Sequence, residues 1–285
     1  MKNNRFRALL ATLAFLLAIL ACIVPGIPAS ESAPAADPNL INTIVAETFS
    51  AAVAQTAGIP LGTPATEVAV AETPTGILTP GITGTNVEKL QDGITKYVDY
   101  DGGFEVVFPA GWLAVRPNSD EFNAALADEG AKNQMLSDQM TTDQAGYDAS
   151  FDRLYSYPLR PDIEKNVIFG FSKLVWDPDD AVPLDNDAMG QVVRGLEAPG
   201  GIPGFRAAVA QLYTNANGVT LIEIGGPFAL DDGQGGTTAF YATLILFKPT
   251  PDSLTRMTFT VLRDYQAPIL ADVKSVIESI KLPGQ

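Results

Sequence analysis

From Ala8 to Glu88 the chain carries not one lysine or arginine, and that gap divides it into two parts with different folding prospects. Residues 23–93 are dominated by Pro, Ala, Thr, Gly and Ser, as in "PASESAPAADP" and "GIPLGTPATEVAVAETPTGILTPGITGT". Such a composition buries too little apolar surface to offset the entropy of ordering, so residues 22–93 read as a disordered tether. Beyond Lys89 the charges return and apolar residues fall into short periodic runs. Residues 94–285 therefore read as the folded domain, beginning near Tyr97.

One piece of the tether differs in pattern. Asp37 stands as an N-cap, Pro38 as the first helical residue, and Gly58 as the stop of a short helix over 38–57. Leu40, Ile41, Ile44, Val45, Phe49 and Val53 recur at helical spacing within it. It reads either as a marginal helix inside a tether or as a docking helix.

The first 21 residues read as a lipoprotein signal peptide. "MKNNRFR" supplies a basic start, and Ala8–Ala21 is an apolar run of 14 residues. A membrane span needs about 20 apolar residues, so this run suits a secretory signal better. It ends in Ile19, Leu20, Ala21 and Cys22, which resembles a bacterial lipobox, whose cysteine is acylated and becomes the first mature residue. Cys22 is the chain's sole cysteine. Two other readings stay open: an uncleaved anchor helix, or a conventional signal cleaved nearby. Each places the domain outside the cytoplasm.

Composition narrows the chemistry further. The formal charge is -15, from 18 basic and 33 acidic side chains. Residues 1–21 hold Lys2, Arg5 and Arg7 and no acid, so their removal leaves 15 basic against 33 acidic, a charge of -18. That surface repels phosphate backbones and argues against nucleic acid as a partner. With no histidine and a single cysteine, the usual general base, the soft metal ligands and an intrachain disulfide are all missing.

Within the domain, "GFEVVFPA" alternates, with Phe104, Val106 and Phe108 on one face, and "GWLAVR" follows as a second strand across Pro109 and Gly111. Asn118 and Glu121 have capping-box spacing ahead of the helical stripe Phe122, Ala125 and Leu126. Helical pattern continues through "AKNQMLSDQM". "FDRLYSYPL" and "NVIFGFSKLVW" read as strands, the latter apolar on both faces and thus central. "DNDAMGQVVRGL" reads as a short helix. "FRAAVAQLYTNANGVTLIEIGG" is a hairpin turning at Asn217-Gly218, and "TAFYATLILFKP" with "LTRMTFTVLR" forms another. Ile269, Leu270, Val273, Val276, Ile277 and Ile280 mark a closing amphipathic helix. The order predicts an α+β domain: a mostly antiparallel sheet covered by helices.

An aromatic-rich opening strand with Phe104 and Phe108, then Pro109, Gly111 and Trp112, and a final helix ending "VIESIKL", resemble the PsbP-like family. That family includes the extrinsic lumenal protein of photosystem II and many bacterial lipoproteins of unclear role. The resemblance covers about Tyr97 to Leu282 and implies an α/β/α sandwich. It transfers no functional residue, because the metal and photosystem contacts of the plant proteins depend partly on histidines.

The candidate sites are few. Asp177, Asp179, Asp180, Asp185 and Asp187 crowd one loop, and calcium takes roughly six to eight oxygen ligands. The spacing is not that of an EF-hand, and Asp also serves turns and helix caps, with Asp185 placed to cap a helix. "GGPFALDDGQGGTT" and "GLEAPGGIPGF" are glycine-rich, but the first holds no Lys or Arg and no helix follows it, so both read as loops. Trp112 and Trp176 read as core or interface anchors. The sequence points to a lipid-anchored, non-catalytic protein that serves an envelope partner, with a calcium- or small-ligand-binding module on loop 177–187 as the alternative.

Overall fold

The computed structural model describes residues 83–160, 168–231 and 236–282. The signal segment 1–21, Cys22 and the helix expected over 38–57 lie outside these residues.

The chain enters through strand β1 (Thr85–Lys89), β2 (Thr95–Asp99) and β3 (Phe104–Phe108), which form a three-stranded antiparallel sheet in sequence order. A second sheet is built from β4 (Trp112–Val115), β5 (Asp152–Pro158), β6 (Gly170–Asp177), β7 (Val209–Thr214), β8 (Thr220–Asp231), β9 (Thr237–Phe247) and β10 (Leu254–Leu262). Its seven strands run in the order β4-β5-β6-β10-β9-β8-β7, every neighbour antiparallel. Helices α1 (Asp120–Asp128), α2 (Gln134–Ala145) and α3 (Asn186–Glu197) interrupt the strands, and α4 (Gln266–Ser279) closes the domain. The α+β class and the antiparallel sheet expected from the sequence are what the chain forms.

Side-chain alternation along the strands divides the core between the two faces of the large sheet. Tyr155, Tyr157, Ile222, Ile224, Leu244 and Leu246 point to one face, where Phe122 and Ala125 of α1, Leu136 and Met140 of α2 and Leu196 of α3 cover them. Leu154, Leu221, Ile245 and Phe247 point to the other. That face is shared by α4, through Ile269, Val273, Val276 and Ile277, and by the small sheet, through Tyr97, Phe104, Val106 and Phe108. Helices were expected to cover the sheet; on this second face a small sheet takes half of the task. β6 is interior and apolar on both faces, with Phe171 packed to one side and Leu174 to the other.

Pro109 and Gly111 are the corner at which the chain leaves the small sheet for the large one. Gly111 has φ +86, a conformation that disfavours any residue with a Cβ. Trp112 N–H donates to Pro109 O across this corner at 3.3 Å. Trp112 itself is buried, packs edge-on against Phe259, and donates its indole N–H to Asp272 Oδ2 of α4 at 3.1 Å. The corner is architecture.

Four local expectations change. Thr85–Lys89, grouped with the tether on composition, pairs along its whole length with β2. The cap of α1 is Ser119, whose Oγ accepts from Phe122 N at 3.1 Å. Glu121 pairs with Arg116 instead of closing a capping box, and Asn118 sits at φ +52. The Asn217-Gly218 hairpin has positive φ at Gly218 but not at Asn217, so it is a longer loop, closed by Asn215 N donating to Val219 O at 3.0 Å. Finally, residues 227–231, read as part of a glycine-rich loop, are strand residues, since β8 runs on through Gly225 and Gly226 to Asp231 opposite β9. A Cβ on Gly226 would lie 1.9 Å from Arg206 O, so glycine there admits a close backbone approach.

Candidate functional site

The acidic loop after β6 is spent on structure. Asp180 is buried, and its Oδ2 accepts from Arg256 Nη2 of β10 at 2.5 Å while its Oδ1 accepts from Val182 N at 3.0 Å. Asp177 Oδ2 lies 3.6 Å from the same Arg256 nitrogen, and its Oδ1 accepts from Asp179 N at 3.1 Å. Asp185 caps α3, accepting from Ala188 N at 2.8 Å, and Asp187 follows in the first turn of that helix. Lys248 Nζ donates to the carbonyls of Asp180 and Val182 and pins the loop from β9. Among the described residues, no group of three or more acidic or cysteine side chains is disposed to share a metal ion.

Three further carboxylates lie away from this loop: Asp99 and Asp152, both buried, and Asp143, half-buried. Asp143, on α2, accepts from Tyr157 hydroxyl at 2.6 Å and from Gln139 Nε2 at 2.9 Å. Burial pushes its carboxyl up to about 6, against the pull of those two donors. Tyr155 bridges the same region, its hydroxyl donating to Asp152 Oδ2 at 2.7 Å. Asp99 is fully buried on β2, and burial raises its carboxyl as well. Its Oδ1 accepts from Gly102 N at 2.7 Å and its Oδ2 from Tyr97 hydroxyl at 3.0 Å.

A polar cleft of about 250 Å³ opens beside Asp99 and Asp152, lined by Thr85, Arg116, Pro117, Ser119, Tyr147, Ala149, Asp152 and Arg153. The strands meet there by topology: the start of β1, the end of β4, the first turn of α1, the 146–151 turn and the start of β5. Arg116 is fully engaged. It grips Glu121 with Nε and Nη2 and donates through Nη1 to Thr85 O at 2.9 Å. The grip lowers Glu121 below the usual carboxylate range. Asp152 is neutralised by Lys173 Nζ at 2.9 Å and accepts from Asp148 N at 3.0 Å.

Arg153 stands apart. The β5–β6 register shifts between Asp152 and Leu154, so Arg153 is the extra residue of a β-bulge. Bulges re-aim side chains, and this one lays the guanidinium over the Trp176 ring, 4.6 Å from its centroid. Its Nε is buried without a hydrogen bond and lies 3.8 Å from Asp99 Oδ2, an ion pair beyond hydrogen-bonding reach. None of these lining residues was singled out from the sequence. They are scattered over positions 85–153, and only the charged pair Asp152-Arg153 at the head of an otherwise aromatic strand marked the place.

Neither a family model nor a curated protein sequence matches the chain. Solved structures do. The PsbP protein of the cyanobacterium Synechocystis sp. PCC 6803 is similar at TM-score 0.39 and 13% identity, over 71% of this chain and 95% of that one. Mog1p, a Ran-binding protein of Saccharomyces cerevisiae, is similar at TM-score 0.38 and 11% identity, over 70% and 96%. LpqN of Mycobacterium tuberculosis, a protein involved in cell envelope biogenesis, is similar at TM-score 0.30 and 11% identity, over 74% and 90%. The layered α+β architecture itself rests on the chain's own strands and helices.

Proposed function

We propose that the chain is a lipid-anchored extracytoplasmic protein that presents its α+β domain to a partner in the cell envelope, as a binding or accessory component and not as a catalyst. The observation that carries this reading is the position of its sole cysteine. Cys22 closes a basic-then-apolar leader and opens a long stretch rich in Pro, Ala and Thr. Several acyl chains on one cysteine hold a protein to a bilayer far more firmly than the single chain that binds only marginally. A tether of that composition lets a domain sample the space above the surface. The strongly acidic charge keeps such a domain off anionic head groups and in solution. The absence of histidine from the sequence supports the non-catalytic part of the reading.

The test is metabolic labelling with a radiolabelled fatty acid in a bacterial host, together with crosslinking in intact cells. Wild-type chain takes up label and stays with membranes, Cys22→Ser loses both, and crosslinking recovers a specific envelope protein. Label retained in Cys22→Ser refutes the anchor. Crosslinks that recover no reproducible partner refute the accessory role.

A further inference from the structure

We propose that the cleft between β1, the first turn of α1 and the 146–151 turn binds a small carboxylate, held by the guanidinium of Arg153. Each charged group lining the cleft is ion-paired, Arg116 with Glu121, Asp152 with Lys173 and Arg153 with Asp99, but Arg153 is held beyond hydrogen-bonding distance of its partner. Arg153 makes no hydrogen bond among the described residues, although arginine carries five N–H donors. Its ion-pair partner among the described residues, Asp99, has each carboxylate oxygen taken by Tyr97 or Gly102 and sits 3.8 Å away. The bulge and the Trp176 ring fix the plane of the fork before any ligand arrives. Little side-chain entropy is then lost on binding.

The chemistry of the ligand follows from charge and shape. A planar fork matches a planar carboxylate through two parallel hydrogen bonds. With Asp99 already at ion-pair distance, what the guanidinium offers a ligand is its N–H donors and not an unmatched charge. A phosphate dianion would bring a second charge into a chain already at -15, with every cation among the described lining residues already ion-paired. Tyr147 also lines the cleft. A cleft of about 250 Å³ suits a small organic acid or the acidic side chain of another polypeptide, and the two share this chemistry.

The experiment follows the Trp176 indole N–H resonance of the full ¹⁵N-labelled chain in detergent micelles. Sodium acetate, inorganic phosphate, and a blocked peptide carrying one glutamate are titrated separately at ionic strength held constant with sodium chloride. Trp176 reports through the guanidinium stacked on its ring, and Trp112, whose indole N–H is held by Asp272, is the internal reference. The expected result is a saturable Trp176 shift with acetate or with the glutamate peptide. Tighter binding of the peptide assigns the site to a protein's side chain, and tighter binding of acetate to a free acid. Arg153→Gln weakens binding roughly ten- to a hundredfold, the loss of charge-assisted hydrogen bonds. Arg153→Lys, which keeps the charge but not the fork, weakens it less, and Arg194→Gln on the exposed side of α3 leaves it unchanged. If Arg153→Gln does not fold, the Arg153→Lys comparison carries the test. A linear response equal to that of chloride, saturation by phosphate alone, or saturation that survives loss of Arg153 overturns the site. Should the site fall by these criteria while envelope crosslinks persist in Arg153→Gln, the accessory role stands without it.

Discussion

Asp143 holds a carboxylate against its own solvation. The side chain accepts from Tyr157 and Gln139, yet burial dominates and its carboxyl titrates near 6, above the 3.8 of an unfolded chain. A group whose folded pKa is raised binds its proton more tightly when folded. The charged form therefore costs stability above about pH 6, and the cost is relieved as pH falls from about 6 towards 4. The full difference amounts to about 3 kcal/mol at most. Asp143→Asn removes it. The predicted outcome is that wild type gains stability relative to Asp143→Asn as pH drops from 7 to 4 in urea melts, and that the variant is at least as stable at pH 7. A gap between the two proteins that does not change with pH would show that Asp143 titrates normally. Gly226 makes a second prediction at this scale. A Cβ there would strike Arg206 O, a backbone atom with little freedom to move, so Gly226→Ala costs roughly 1–3 kcal/mol or more. Thermal unfolding would read the loss directly.

At the scale of elements, the loop between β7 and β8 is as much a cap for α4 as a turn. Asn215 is buried, and its Nδ2 donates to the carbonyls of Ile277 and Ile280 at 3.1 and 2.9 Å. Its Oδ1 meanwhile accepts from Asn217 N and Val219 N, each at 3.0 Å. One side chain thus closes a hairpin and satisfies carbonyls that a helix end leaves open. Asn215→Ala strands several of these groups and is predicted to cost about 2–4 kcal/mol. Amide exchange should quicken in the last turn of α4 before the sheet is affected. Unchanged protection there would mean that water replaces Asn215 without loss. Legibility in the sequence follows the same division. α4 was plain because its apolar spacing is local, and Asp185 was plain because a cap needs only its own helix. The extension of β8 over residues 227–231 was not. The glycines on either side mark a loop by composition, whereas Gly226 answers a carbonyl from Arg206 brought in by a distant segment. The bulge at Arg153 was hidden for a similar reason, since a register shift exists only once β5 has met β6.

Across the whole molecule, the large sheet serves as a partition with two separately packed faces, and the small sheet is held to the second face partly by polar ties. Glu105 of β3 exchanges backbone hydrogen bonds with Lys281, both at 3.0 Å, so residues beyond α4 cover that edge. The opposite edge of the small sheet is β1, the first strand of the described residues. β1 gives the domain Val87, packed partly buried against the second core, and Thr85 O, which accepts from Arg116 Nη1 at 2.9 Å. It also forms a wall of the cleft through Thr85. Composition drew the domain boundary at 94, on the wrong side of this strand, because "TGTNVEK" has one apolar residue and the register with β2 supplies the rest. The consequence is measurable. A chain beginning at Ile82 keeps β1, whereas one beginning at Ile94 exposes the backbone edge of β2 and leaves Arg116 with one donor unmet. The shorter chain should lose about 2 kcal/mol, the residue of several strand hydrogen bonds after the entropy of ordering five residues is subtracted. For a domain of this size that lowers Tm by about 4–8 °C. Because β2 would then present an open edge, the shorter chain should also associate at high concentration, which light scattering would detect. Equal melting temperatures and equal scattering for the two chains would return Thr85–Lys89 to the tether.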